Sequence, residues 1–348
     1  MANLHTMCVR QALPHQWLRG MLVALPLLGL AATSAAAQRF DGVNIVAAPE
    51  HPYGGASAER SLAEAKLLGA TAVAIVPFLW QANPSSPDIV RGMDMTDAQL
   101  RAAIHDAHAL GLTVLVKPHV WVPQSWAGAV AMDSEDTWRS WFANYQIALK
   151  HIARIAEEER AEALALGTEL DGTTQRPEWG ALIDAARSLY SGRLLYIAHN
   201  IEDAEAVPFW GQLDLVGVSL YPTLGNDDDR AYRLSVMRAV ASRIDDLAAR
   251  TGKSVVVGEV GLRSARGAAA KPWESAEERA AAPDPALQAE VLTDWLAILD
   301  RPAVTGVLVW RWLTDPDAGG LTDTDFTVQG KPAEHVLMCA WTQSCNRG

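Results

Sequence analysis

The sequence predicts an α/β protein whose single folded domain is a (β/α)8 TIM barrel. From residue 40 onward, short apolar runs alternate with longer amphipathic runs, which is the pattern of strands that alternate with helices. Eight strands can be counted when one ambiguous segment is included, and eight parallel strands close into a barrel. No linker rich in Pro, Gly or Ser divides the 348 residues, a length that suits one such barrel.

The predicted strands are the short apolar runs. They are residues 42–48, 71–79, 112–116, 162–168, 193–198, 213–220, 254–257 and 305–309. Residues 162–168 are the ambiguous segment, because they lie in a stretch rich in Glu, Ala and Leu whose helix propensity would continue the preceding helix up to Gly167. As a buried strand, this segment supplies the fourth of the eight.

The predicted helices are the amphipathic runs 58–68, 96–110, 134–158, 177–190, 231–250 and 287–299. Thr96 is a typical helix N-cap, Asp97 and Gln99 suit the first turn, and Gly111 ends the run. The looser stretches 225–229, 265–285 and 315–330 follow predicted strands. A barrel carries its functional loops at those places.

Residues 1–37 have the pattern of a secretory signal peptide, so the folded domain is predicted to be residues 38–348. Arg10 and Arg19 precede an apolar run at 21–32, and three alanines at 35–37 offer a cleavage site. The alternative is a membrane anchor, but the run is shorter than the roughly 20 apolar residues that a span needs. We therefore expect a secreted or periplasmic protein with no membrane span in the mature chain.

The charge and the cysteines restrict the partners. A net charge of −12 without a basic cluster argues against nucleic acid. After export, Cys339 and Cys345 can form a disulfide, the alternative being two free thiols near a frayed end. The sequence has no Cys/His spacing of a zinc site, so we expect no metal and no cofactor. We expect a monomer.

The candidate site residues lie where predicted strands end, because those ends face the active site of a barrel. They are Asn44, Trp80, His119, Trp121, Glu169, His199, Asn200, Tyr221, Glu259 and Trp310. Trp80, Trp121, Trp126, Trp310 and Trp312 are the tryptophans placed to stack on sugar rings. Two carboxylates among aromatic residues are what glycosidic cleavage requires, one to protonate the leaving oxygen and one to attack the anomeric carbon.

Several segments resemble glycoside hydrolase family 113, namely 167–172, 179–190, 209–214, 219–222, 257–261 and 330–333. The resemblance implies a retaining (β/α)8 glycosidase, mainly an endo-β-1,4-mannanase, that acts on a β-linked polysaccharide or oligosaccharide. It implies that Glu169 is the general acid/base, that Glu259 is the nucleophile and that Tyr221 donates a hydrogen bond to Glu259. The residues expected to bind substrate are Trp80, His119, Trp121, Asn200, Tyr221 and Trp310. Many members of the wider clan have Asn where this chain has Thr168.

Two further expectations concern the carboxyl pair. A retaining enzyme holds its two carboxyl groups about 5 to 5.5 Å apart, and an inverting one about 6.5 to 9.5 Å. The negative charge of Glu259 and the surrounding aromatics should raise the pKa of Glu169.

Three alternatives remain. A metal-dependent hydrolase on the same barrel would want a His-x-His motif in the first strand, and residues 42–48 contain no His. A non-catalytic carbohydrate-binding or exopolysaccharide-processing barrel could have the same fold. A glycosidase for another β-linked sugar would share both carboxylates.

Overall fold

The protein is a closed barrel of eight parallel strands, as the sequence predicts. The computed structural model describes residues 39–92 and 95–345. The barrel strands are β1 (Gly42–Val46), β2 (Ala72–Ile75), β5 (Thr113–Val116), β7 (Ala163–Thr168), β8 (Arg193–His199), β9 (Leu215–Leu220), β10 (Val255–Val260) and β11 (Val304–Leu313). They close in the order β1-β11-β10-β9-β8-β7-β5-β2. The predicted signal peptide lies outside the described residues and stays a prediction.

Helices cover the outside of the barrel. They are α1 (Ala56–Leu67), α2 (Asp97–Ala109), α3 (Glu135–Glu158), α4 (Glu178–Arg187), α5 (Asn200–Ala206), α6 (Arg230–Thr251), α7 (Pro285–Leu299) and α8 (Pro332–Thr342). The predicted start of α2 at Thr96 is confirmed, and the structure adds a capping box in which Thr96 and Gln99 satisfy each other's backbone N–H groups. Within the described part of the chain, no helix is long and apolar enough to cross a bilayer.

The ambiguous fourth strand is β7, and alternation explains why it is not helical. Ala163 and Ala165 pack in a small apolar cluster inside the barrel, whereas Leu164 and Leu166 belong to the larger cluster between barrel and helices. A strand sends successive side chains to opposite faces, so small residues point to the narrow interior and large ones point to the helices. The two-residue period therefore outweighs helix propensity here.

A second sheet lies beyond two of the barrel strands and corrects part of the sequence prediction. The predicted strand 71–79 is divided in two, because β2 ends at Ile75 and a new strand, β3 (Phe78–Trp80), follows Pro77. After β5 and Pro118, β6 (His119–Trp121) pairs with β3 in parallel, and β4 (Val90–Arg91) completes this sheet. Proline cannot donate a ladder hydrogen bond, which fits a break at each place. Trp80, His119 and Trp121 therefore lie in this outer sheet rather than at barrel strand ends.

The predicted disulfide is confirmed between Cys339 on α8 and Cys345. The bond closes a short loop, so its entropic effect on the unfolded chain is limited to about 2 kcal/mol. We expect reduction, or the Cys339→Ser variant, to lower the free energy of unfolding by no more than that and to leave turnover unchanged. Denaturant unfolding with and without reductant measures this, and a loss of activity on reduction would contradict it.

Candidate active site

Glu169 and Glu259 both lie at the carboxyl ends of barrel strands. Glu169 directly follows β7 and has a left-handed backbone with φ of 55°, which turns the chain sharply at the strand end. Glu259 lies in β10, where the pairing with β9 shifts register between Val257 and Glu259. A bulge of this kind re-aims a side chain. Both carboxyl groups are almost fully buried.

Three polar side chains surround the carboxylate of Glu259. Lys117, at the end of β5, forms an ion pair with Oε1. Tyr221, directly after β9, donates its hydroxyl to Oε2 at 3.0 Å, which confirms the hydrogen bond that the family resemblance implies. Nδ1 of His119 lies 3.9 Å from Oε1. Lys117 and Tyr221 therefore place a cation on one oxygen of Glu259 and a hydrogen-bond donor on the other.

Lys117 is a fully buried cation beneath the site. Its ammonium also lies 4.9 Å from the centre of the Trp310 ring, over the face of that residue. A buried ammonium requires a compensating charge, and Glu259 supplies one within hydrogen-bond reach. The ion pair therefore fixes both a charged carboxylate and a tryptophan at the same point of the barrel mouth.

Glu169 faces a histidine. Nδ1 of His199, the last residue of β8, lies 3.1 Å from Oε1 of Glu169. Burial would raise the pKa of Glu169, but His199, then His119 and the Ser219 hydroxyl, lower the pKa of this carboxyl well below its usual range. The expected rise in the pKa of Glu169 is therefore wrong for the free protein, because sequence reasoning did not place a histidine against it.

His119 has the opposite environment. Burial lowers the pKa of His119, although the charge of Glu259 works in the other direction. This imidazole is therefore neutral at pH 7. Its Nδ1 is buried 3.9 Å from Oε1 of Glu259 and makes no hydrogen bond with any described residue, so its hydrogen-bonding capacity is unused.

Asn200 is the first residue of α5 and joins two strand ends. Its Oδ1 accepts the backbone N–H of Tyr221 at 2.8 Å, and its Nδ2 lies 3.0 Å from Nε2 of His199. Asn200 also has a left-handed backbone, with φ of 54°, a conformation that Asn adopts more readily than most residues. Its amide is thus bonded on both sides by the protein.

Aromatic residues line the mouth on both sides of the carboxylates. Trp80 and Trp121 lie 6.1 Å apart across the outer sheet, and with Phe78 and Arg311 they border a cavity of about 220 Å³. Trp126, which is 44% exposed, packs on the His199 ring with centroids 4.9 Å apart. The expectation that Trp312 stacks on sugar is wrong, because this ring is buried and donates its N–H to Ser61.

Comparison with known proteins identifies the family of this chain. The model of Glycoside Hydrolase Family 113 matches residues 46–331. The chain belongs to glycoside hydrolase family 113. The family resemblance noted in the sequence is confirmed, and this family 113 protein is a glycoside hydrolase.

Solved structures of the same family are similar over most of the chain. A complex of a GH113 β-1,4-mannanase has a TM-score of 0.78 and 25% identity, covering 88% of this chain and 100% of that one. The GH113 β-mannanase AaManA from Alicyclobacillus acidocaldarius, in complex with ManMIm, has a TM-score of 0.76 and 24% identity, with 88% and 98% covered.

More distant structures share only the fold. A β-glucuronidase from Ruminococcus gnavus, in complex with uronic deoxynojirimycin, has a TM-score of 0.60 and 14% identity, covering 87% of this chain and 50% of that one. No protein of curated function matches this glycoside hydrolase.

The structure brings the predicted carboxylates together with groups that sequence reasoning missed. In the sequence, Lys117 could be noted only as a lysine at the end of an apolar run. The alternation of side chains along β5, continued by one residue, places Lys117 inside the barrel. Ser219 lies in β9 beside Glu169. Thr168 donates its hydroxyl to the Pro118 carbonyl at 3.0 Å, so that hydroxyl can offer a sugar only an acceptor. The catalytic and binding roles assigned to individual residues stay predictions.

One group of possible metal ligands occurs in the described ranges. His335, Cys339 and Cys345 place one ligand atom each within 4.8 Å of one another. The two sulfurs are joined in the disulfide. A disulfide sulfur is not the thiolate that zinc binds, and this group lies at the C-terminal helix rather than at the barrel mouth.

The Lys117→Met variant is expected to impair both turnover and folding. Removing the cation leaves a buried carboxylate unpaired, which costs about 3–5 kcal/mol of stability. Since the Glu259 carboxylate then loses the cation that holds Oε1, we also expect kcat/KM on β-mannan to fall by about tenfold or more. Steady-state kinetics and thermal unfolding measure the two effects separately.

Lys331→Met is the matched control for this variant. Lys331 is also a buried lysine with an aspartate partner, Asp323, but its contacts lie in the loops that follow β10 and β11 and include neither Glu169 nor Glu259. Both variants should lower the melting temperature, and only the change at Lys117 should lower kcat/KM by about tenfold or more. Equal losses of kcat/KM in the two variants would contradict a functional role of Lys117 beside Glu259.

Proposed function

We propose that this family 113 enzyme is a retaining β-mannan hydrolase, of the endo-β-1,4-mannanase type, that works by double displacement. In this proposal Glu259 attacks the anomeric carbon and Glu169 protonates the leaving oxygen and then activates water. The observation that carries the proposal is that the two carboxyl groups have different partners. Glu259 pairs with a fixed cation and Glu169 pairs with a group that can exchange a proton.

The surroundings of Glu259 support its role as nucleophile. A nucleophilic carboxylate must be ionised and held still, and the Lys117 ammonium and the Tyr221 hydroxyl each fix one of its oxygens. The Tyr221 hydroxyl can stay on the oxygen that does not attack. The remaining lone pairs of Oε1 then face the reacting sugar.

The surroundings of Glu169 support its role as acid/base. Trp126 packs against the imidazole ring of His199, the partner of Glu169. Trp126 is one of the more exposed tryptophans at the barrel mouth. The leaving sugar departs on the side of the general acid. A tryptophan there would give that sugar a face to stack on, because sugar C–H groups pack against aromatic rings.

The substrate class rests on the family and on two similar solved structures, each described as a GH113 β-1,4-mannanase. The cavity beside Trp80 and Trp121 has room for further sugar units beyond the cleavage point. Trp80, His119, Trp121, Tyr221 and Trp310 remain the proposed substrate contacts, whereas both ends of the Asn200 amide are bonded by the protein. Action on a chain interior, export and a monomeric state are part of the same proposal.

Reducing-sugar release from a substrate panel tests this function. The panel contains β-mannan, glucomannan, mixed-linkage β-glucan and β-galactan, each offered at equal mass. We expect β-mannan and glucomannan to be cleaved and the other two to be poor substrates. The Glu169→Ala, Glu259→Ala double variant is the blank. Cleavage of β-glucan or galactan alone would overturn the mannan assignment, and no release from any polymer would overturn hydrolysis.

A further inference from the structure

The side-chain amide of Asn200 has a determined orientation. The backbone N–H of Tyr221 can only donate, so the oxygen of the Asn200 amide must face it, and the structure has that contact at 2.8 Å. The NH2 group of Asn200 must then face Nε2 of His199, at 3.0 Å. A flipped amide would set two donors against each other at Tyr221.

This orientation selects the tautomer of His199. Because the Asn200 NH2 group donates to Nε2, that nitrogen has to offer a lone pair, and the single ring proton lies on Nδ1. Nδ1 lies 3.1 Å from Oε1 of Glu169, which is within hydrogen-bond reach, although the present geometry is not that of a hydrogen bond. Neither atom has another hydrogen-bond partner among the described residues. A second proton on His199 would have to enter Nε2, directly against the NH2 group.

The charges around His199 favour its protonated form, whereas the side-chain amide of Asn200 favours the neutral form. Burial lowers the pKa of His199, but Glu169 beside it, then Asp171 and Asp203, raise it above the ordinary range. Asp171 follows β7, Asp203 lies on α5, and His119 faces Glu169 from β6. Trp126 covers the ring without adding charge. Charge alone would therefore make His199 an imidazolium and Glu169 a carboxylate that cannot act as an acid.

We propose that Asn200 is a positioning residue that keeps His199 neutral, so that the proton held by the Glu169–His199 pair is available on the carboxyl group. Its amide blocks Nε2, and a proton entering the pair goes to the free oxygen of Glu169 while Oε1 accepts from Nδ1. This rests on the proposed acid role of Glu169. Asn200 acts through His199 rather than on the sugar.

The Asn200→Asp variant tests the proposal. Asp has nearly the same shape, also tolerates a left-handed backbone and still accepts the Tyr221 N–H, so the fold should be kept. Its second oxygen now faces Nε2 and accepts a proton there, which makes His199 an imidazolium. Glu169 then stays ionised to lower pH, so we expect the alkaline limb of the kcat/KM profile on mannan to move to lower pH.

Two substrates separate this effect from general damage. At pH 6 we expect Asn200→Asp to lower kcat on mannan by about tenfold or more, since general acid catalysis contributes about 10² to 10⁴. A dinitrophenyl β-mannoside needs no protonation of its leaving group and should lose threefold or less. The control Asn144→Asp, on α3, makes the same chemical change where Nδ2 only donates to the Pro87 carbonyl. Equal losses on both substrates would overturn the proposal.

Nitrogen NMR of the wild-type protein gives a readout without turnover. The 15N shifts of His199 between pH 5 and 8 should be those of a neutral ring protonated on Nδ1, and those of Asn200→Asp should be those of an imidazolium. An imidazolium in the wild type at pH 6 would overturn the proposal even if mannan is cleaved. Conversely, a neutral ring in a protein that cleaves no polysaccharide would leave the tautomer correct and the proposed function wrong.

Discussion

The Glu259→Ala variant should lose turnover of β-mannan by about 10⁴-fold or more, because removal of a covalent nucleophile eliminates the chemical step rather than slowing it. The alanine leaves space beside Lys117 and Tyr221, which line the pocket of the lost carboxylate. Azide can enter that space. With a dinitrophenyl β-mannoside we expect azide to restore activity and to give the α-mannosyl azide, whose configuration is inverted.

A matched variant controls for an orphaned buried cation. Glu290→Ala removes the carboxylate partner of Arg233, which is almost fully buried between α6 and α7. Both alanine variants should unfold at lower temperature than the wild type, and only Glu259→Ala should lose turnover and respond to azide. A β-mannosyl azide from Glu259→Ala would contradict the assignment of Glu259 to the opposite face of the sugar.

The Glu169→Ala variant should divide substrates by their leaving groups. General acid catalysis contributes about 10² to 10⁴, so hydrolysis of mannan should fall by that factor. Formation of the glycosyl-enzyme from a dinitrophenyl β-mannoside should continue, because that leaving group needs no proton. Loss of base catalysis would then make the second step limiting. Azide should accelerate it and give the β-mannosyl azide, with configuration retained.

The same strand supplies the control for this variant. Glu162 directly precedes β7 and Glu169 directly follows it, so the two glutamates lie at opposite ends of the barrel. Glu162 accepts the Val114 N–H at the start of β5. Glu162→Ala should cost some stability and leave the ratio of the two substrate rates unchanged. A loss on mannan and on the activated mannoside by the same factor would remove Glu169 from the acid role.

Much of the fold could be predicted because barrel strands and helices differ in period. The residues of β7 show where propensity fails, since Ala and Leu favour a helix while their alternation fits a strand buried on both faces. The outer sheet could not be foreseen. Nothing in the run from residue 71 to 80 separates β2 from β3 except Pro77, and the partner strand β6 is some forty residues away along the chain.

The site was only partly accessible to sequence reasoning. Glu169 and Glu259 could be singled out because each ends an apolar run in a matching context. The protonation states of these two carboxyl groups could not be predicted, because they depend on neighbouring residues from other strands. Lys117 directly follows β5 and His199 ends β8. These long-range contacts decide which carboxyl group is paired with a lysine and which with a histidine.

Trapping of the glycosyl-enzyme is the most direct test of the double displacement. The wild-type protein is incubated with a 2-deoxy-2-fluoro-β-mannosyl fluoride, which forms the covalent intermediate faster than it is hydrolysed, and the digested protein is measured by mass spectrometry. We predict that the peptide containing Glu259 gains the mass of one fluorosugar and that activity disappears in step with labelling. A label on Glu169, or inactivation without a covalent label on Glu259, would contradict the account.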